Sequence, residues 1–143
     1  MTVIFSKKCE YGLQGTLYLA VNQDKGPISS DEIAAVLHIP KEFVSKILQS
    51  LTKHGIIGSK KGKAGGFFLN KPANQIKLID IVEAIDGLDI FEKCVLGFPE
   101  CSPDHPCPVH EKWGALRTEA FEMLDSETID ELTEQTISKI KSL

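Results

Sequence analysis

The chain has 143 residues, 42% of them hydrophobic and 25% charged, with 16 Lys and Arg against 20 Asp and Glu. That length suits one domain, or one small domain with an appended arm, and it can bury a core without disulfide staples. The composition excludes global disorder, and the net charge of −4, taken alone, argues against a nucleic-acid partner.

No segment reads as a membrane span. The apolar stretch Tyr11 to Val21 contains Gln14 and Thr16 and falls well short of about 20 apolar residues. Lys7 and Lys8 follow Val3, Ile4 and Phe5, the reverse of a secretory signal. A cytoplasmic location is therefore expected, where thiols stay reduced. The four cysteines then read as metal ligands or redox sensors rather than structural disulfides.

In chain order, Leu13, Leu17, Ala20 and Val21 recur at helical spacing and predict a helix over about 7–23. Ser29 followed by Glu32 is a capping-box pattern for a short helix over about 30–37, with Ile33, Ala34 and Leu37 inward. Pro40 suits the first turn of a third helix, which runs to about His54 with Val44, Ile47, Leu48 and Leu51 on one stripe. Gly55 suits its end. Ile56 to Ser59 and Phe67 to Leu69 flank the glycine-rich segment 60–66 and read as a β-hairpin.

Beyond the loop Pro72 to Asn74, a short helix over Ile76 to Ile85 is predicted, with Ile81, Val82 and Ile85 inward. A long irregular loop, Gly87 to about His110, follows. Glu111 to Leu124 returns to helix, with Trp113, Leu116, Ala120, Phe121 and Leu124 on one stripe. Thr128 with Glu131 suggests a second capping box, opening a final helix to about Lys141. The fold class expected is mainly α with a small β-hairpin. The division is a winged helix-turn-helix part over 1–75, a connecting helix over 76–90, a cysteine-rich loop over 91–110, and dimerisation helices over 111–143.

The order of helices and hairpin is that of a winged helix-turn-helix, and charge supports it. Residues 1–75 carry a net +5, and residues 76–143 a net −9. A basic part and an acidic part hide behind the mean. The third helix offers Lys41, Glu42, Ser45, Lys46 and Gln49 away from its apolar stripe, groups that bond base edges or phosphates. The hairpin carries Lys60, Lys61 and Lys63, and Gly65 and Gly66 would allow close backbone approach to phosphates.

Cys94, Cys101, Cys107 and His110 fall within 17 residues of a loop rich in Pro, Gly, Ser and acids. Soft thiolates with one imidazole suit an iron–sulfur centre or zinc, and a metal would supply the ordering energy such a loop lacks. Only Cys107 and His110 have the close spacing zinc favours, and thiols without metal are a third reading; the alternatives are the same DNA-binding fold without a cluster, responding to thiol state or a partner protein, and a zinc-stabilised interaction module with no DNA role. His105 reads as a solvated histidine, and Cys9 as a packing or incidental thiol. No histidine or acid sits in sequence beside a serine or cysteine nucleophile, and no phosphate-binding loop of a known kind appears, so an enzyme is not expected.

Taken together, Ser6-Lys7-Lys8-Cys9-Glu10-Tyr11-Gly12-Leu13 with Leu17-Tyr18-Leu19-Ala20, the helix pair over 28–55, Lys61-Gly62-Lys63-Ala64-Gly65-Gly66-Phe67 with Leu69, Ile79, Val82 and Ile85, and the three cysteines resemble one family. It is the group of winged-helix regulators typified by IscR and NsrR, also called the Rrf-two group, and the match covers essentially the whole chain. The resemblance implies a homodimeric transcription factor, usually a repressor, that binds double-stranded operator DNA and dimerises through its C-terminal helices. It implies cluster ligands at Cys94, Cys101 and Cys107. His110 would complete a two-iron (2Fe-2S) cluster, which is favoured over 4Fe-4S, and Glu10 is the alternative fourth ligand, from the opposite subunit. Redox state, nitric oxide or iron status would tune operator affinity. Two departures stand out: a first cysteine spacer of six residues rather than five, and Lys61 where arginine is common.

Overall fold

The structure, a computed structural model, describes residues 4–99 and 102–143. In chain order it has α1 (Lys7–Val21), α2 (Ser30–Leu37), α3 (Lys41–Lys53), β1 (Ile57–Lys60), β2 (Gly66–Leu69), α4 (Leu78–Ile85), α5 (His110–Ser126) and α6 (Thr133–Lys141), with short 3-10 turns between.

Helix ends follow local capping chemistry. Ser6 caps α1, its hydroxyl accepting the Cys9 N–H at 3.1 Å. Ser29 caps α2 and accepts the Glu32 N–H at 3.2 Å. Only that half of the expected capping box forms, because the Glu32 carboxylate instead accepts the Tyr18 hydroxyl at 2.6 Å, tying α2 to α1. His38 adopts the left-handed conformation between α2 and α3. Pro40 sits at the N-cap of α3, one residue before the expected first turn. At the other end, Gly55 has φ +76°. Its N–H reaches Thr52 O at 3.1 Å, and the Ile56 N–H reaches Leu51 O at 3.2 Å. That bond pair stops the helix and turns the chain into β1.

The main core lies where α1, α2, α3, β1 and α4 meet. Ile33, Leu48, Leu51, Ile57, Ile76 and Ile81 are essentially inaccessible there. The two strands are antiparallel, with Ile57 opposite Leu69 and Lys60 opposite Gly66. Ile28 pairs with Phe67 on the outer edge of β2 through N–H···O bonds of 2.9 and 2.7 Å, fastening the hairpin to the start of the helix pair. A second, smaller core gathers Cys9, Ile79, Val82 and Leu124, with Phe91 set edge-on to Phe121 at 5.4 Å.

The C-terminal helices behave differently from each other. Ile129 is fully buried in the main core, and its N–H bonds Ile76 O at 2.8 Å. Thr128 accepts the Glu131 N–H at 3.4 Å, but this opens a 3-10 turn over Asp130–Leu132 before α6 begins. Ile140 of α6 then packs on the main core. Of the two helices expected to dimerise, α6 thus returns to its own N-terminal body. The expected single stripe of α5 is split: Phe121 and Leu124 turn inward, while Leu116 is 58% exposed and Met123 54%.

Candidate nucleic-acid interface and cysteine loop

The stripe Val44, Ile47, Leu48 and Leu51 anchors α3 in the core, which turns the opposite face to solvent. On that face Lys41, Glu42, Lys46 and Gln49 are exposed and Ser45 is half-buried, so the sequence-derived residues share one helix surface. Lys41 is held: its ammonium lies 2.7 Å from the Asp31 carboxylate of α2. The hydrogen bond and charge of Asp31 raise its pKa above the ordinary lysine value.

Other residues on this surface are not picked out by the sequence reading. Phe43 is 42% exposed on α3, tilted against Tyr11 of α1 at 6.3 Å between ring centres. Lys7 reaches over the Tyr11 ring at 5.6 Å and pairs with Glu10 at 3.1 Å. Lys8 lines a concavity of about 300 Å³ with Lys46. The available signal was the lysine pair at the head of the first helix, within the basic half.

Lys60, Lys61 and Lys63 are exposed on and around the tip of the hairpin, and none is in an ion pair among the described residues. Gly66 has a local packing reason to be glycine. Its φ is +151°, and a Cβ there would stand 2.5 Å from the backbone of Ile28. Gly65 would meet the Lys60 carbonyl at 2.1 Å. These glycines therefore let β2 close against the extended segment around Ile28 and shape the turn that presents the lysines.

The cysteine loop leaves the body after α4 and rejoins it at α5. The Trp113 indole N–H bonds Lys93 O at 2.8 Å, pinning its first residues to α5. Cys94 is buried and Cys107 half-buried, and their sulfurs lie 3.3 Å apart, a hydrogen-bond contact rather than a covalent one. Burial pushes the Cys94 pKa up. The Cys107 thiol and the backbone N–H groups of Leu96, Phe98 and Gly97 more than offset this, leaving it below the ordinary thiol value. The thiolate is the metal-binding and nucleophilic form.

His110 opens α5, its N–H on Cys107 O at 3.1 Å. Cys101 lies outside the described residues, and among the described residues no three metal-ligating side chains converge. Glu10 engages Lys7 on α1. Cys9 is fully buried, its pKa pushed up to about 12 by burial and by the charges of Asp86 and Glu10. It behaves as a packing thiol. His105 lines a concavity of about 450 Å³ with Phe98 and Cys107.

No helix among the described residues is long and apolar enough to cross a membrane. The Rrf2 family model, described as an iron-dependent transcriptional regulator, matches residues 5–135. A chain of Aquifex aeolicus named as an HTH-type transcriptional regulator is 37% identical over 132 residues, 91% of each chain. The HTH-type transcriptional regulator IscR of Pectobacterium atrosepticum is 27% identical over 127 residues, 89% of this chain and 77% of that one. Among solved structures, CymR, the global cysteine regulator of B. subtilis, superposes with a TM-score of 0.78 at 25% identity, covering 94% of this chain and 98% of that one. The IscR of T. potens gives 0.72 at 26%, covering 94% and 88%. These relatives are regulators rather than enzymes, and the winged-helix fold and the family match agree: the chain belongs to the Rrf2 family of DNA-binding transcriptional regulators.

Proposed function

We propose that this protein is a homodimeric, sequence-specific repressor whose operator affinity is set by a labile iron–sulfur cluster in the loop 91–110. The carrying observation is the pair Cys94 and Cys107, sulfurs 3.3 Å apart, with the Cys94 thiol held below its ordinary pKa by Cys107 and neighbouring backbone N–H groups. That environment favours thiolate and suits a soft metal. Cys94, Cys101 and Cys107 would hold the cluster, with His110 as fourth ligand and Glu10 of the opposite subunit as the alternative. Such a cluster would supply thiolate–iron bonds that fix the loop and are lost on oxidation or reaction with nitric oxide. Val95, Leu96 and Phe98 are each more than half exposed, so the loop has little core of its own to hold it.

The dimer forms through α5, where Leu116 and Met123 stand seven residues apart on an uncovered face. The two copies of α3 then enter successive major grooves of a pseudo-palindromic site, about 34 Å apart. The wing lysines contact the flanking backbone. Lysine is a point charge and lacks the fork of arginine, so the wing contributes position rather than base identity. Loss of loop order shifts the population of DNA-competent dimers.

A second reading keeps the DNA-binding dimer without a cluster. The same sulfur spacing and the similarity to CymR favour it. Here Cys94 and Cys107 close to a disulfide, their two thiol protons and two electrons passing to a peroxide or a small disulfide. The absorption spectrum, with iron, zinc and sulfide content of anaerobically purified protein, separates the readings. About two iron and two sulfide per chain is the outcome expected for a 2Fe-2S centre. Neither iron nor sulfide, with a reversible Cys94–Cys107 disulfide, selects the thiol reading. One zinc per chain and no sulfide would replace both with a structural site.

A further inference from the structure

We propose that the groove between the first turn of α1 and the exposed side of α3 is a clamp for the DNA backbone, in addition to the recognition helix and the wing. This rests on the DNA-binding reading and extends it to a third contact. Lys8, Phe43, Lys46, Ile47, Ser50 and Ile85 line the groove, which holds about 300 Å³. No carboxylate is among them. Lys8 and Lys46 come from different helices, and neither is in an ion pair among the described residues. Lys7, the neighbouring cation, is already occupied by Glu10 and the Tyr11 ring.

The chemistry of the lining matches a sugar–phosphate unit. Two ammonium groups and the Ser50 hydroxyl suit a phosphate oxyanion. Phe43 and Ile85 offer apolar surface to the deoxyribose beside it. Because Lys46 belongs both to this groove and to the DNA-facing side of α3, a backbone leaving the major groove passes over the first turn of α1.

That turn is held rigidly. The Asp86 carboxylate at the end of α4 accepts the Ser6 N–H at 2.8 Å and also the Ser6 hydroxyl, and Ser6 in turn caps α1 through Cys9 N–H at 3.1 Å. Asp86 is therefore a positioning residue for Lys8. It stands at the start of the connection to the cysteine loop.

The test uses the full chain and a random-sequence 30-base-pair duplex, with binding followed by fluorescence anisotropy across a salt series. Each neutralised phosphate contributes about 0.9 to the slope of log K against log salt. Lys8→Gln is expected to flatten the slope by about 0.9 per bound protomer and to cost roughly fivefold in affinity per protomer at 0.15 M salt. Lys8→Arg is expected to keep the wild-type slope. Lys8 is exposed, so these variants leave the fold intact. Lys61→Gln with Lys63→Gln serves as the comparison. If the wing variant flattens the slope and Lys8→Gln does not, the clamp is wrong and the DNA-binding reading stands. If the wild type binds without salt dependence, both fall. If Lys8→Gln leaves the slope unchanged but alters the mass in light scattering, the groove seats a second copy of the chain and the clamp is overturned.

Discussion

The winged-helix body and the loop-plus-α5 arm are held together by different means. In the body, Ile33, Leu51, Ile57, Ile76, Ile81 and Ile129 have essentially no exposed surface, and short polar caps close the helices. In the arm, Val95, Leu96, Phe98, Leu116 and Met123 are each more than half exposed, and α5 buries only Leu124. Charge divides by sequence instead, +5 over 1–75 against −9 over 76–143, and the acidic part includes α4, Ile129 and α6, which pack on the body. A body that is complete by itself can present α3 and the wing in one fixed arrangement, and its basic surface suits phosphate. An arm with uncovered apolar groups leaves room for completion from outside; under the proposed function a second subunit along α5 and a ligand or covalent bond in the loop would supply it. Under the proposed function, the acidic excess would keep that arm off the DNA.

The largest expected difference between the two regions is in stability. Leu48→Ala removes a side chain only 1% exposed and is expected to cost about 2–5 kcal/mol in urea unfolding. Phe98→Ser, on the exposed loop, is expected to stay within about 0.5 kcal/mol of wild type. Equal losses at the two sites would remove the distinction between body and arm.

Next comes assembly. Leu116→Asp places a charge on the uncovered face of α5, and light scattering is expected to show half the wild-type mass. A variant that keeps the dimer would move the interface elsewhere. On the body itself, Asp31→Asn releases Lys41 from its 2.7 Å ion pair and removes a carboxylate from the start of α2. A several-fold rise in affinity for random-sequence duplex, with a steeper salt slope, is expected. An unchanged slope would show that Lys41 stays off the phosphates.

The smallest effect concerns the tie between α1 and α2. The Tyr18 pKa is raised from 10.0 to about 12 by burial and by the hydrogen bond and charge of Glu32. The hydroxyl's contribution to stability is therefore complete below pH 10 and is lost as pH climbs toward 12. Tyr18→Phe is expected to flatten the fall in unfolding free energy across that window; an unchanged fall would assign the alkaline dependence to other groups.

Much of the body was legible because its signals are local. The α3 stripe, the Ser29 cap, the Gly55 stop and the glycine-rich hairpin each lie within a few residues of the element they define. What was not legible depends on long-range contacts. Glu32 reads as half of a capping box until Tyr18, fourteen residues earlier, takes its carboxylate. Lys8 gains meaning only when α1 lies beside Lys46 and Ser50. The return of α6 to the main core rests on Ile129 meeting Ile76. On α5 the periodicity ran through two different faces, since Leu124 packs on Cys9, Ile79 and Val82 while Leu116 is exposed. The cysteine loop was legible as chemistry rather than geometry: the residue types suggested a metal or redox site, the resemblance proposed the ligands, and the structure adds the close approach of Cys94 and Cys107.

The central claim, that this loop controls the DNA-binding body, is tested most directly by measuring affinity for one duplex selected from random sequence by the wild-type protein. Anaerobic and oxidised protein are compared for wild type, Cys94→Ala and Cys107→Ala. The wild type is expected to change affinity between the two states by roughly 5–150-fold, the usual range of coupling between sites, and both variants to bind alike in either state. Wild-type and variant proteins that all bind with one affinity in both states would contradict control by the loop and leave the winged helix an unregulated reader of DNA.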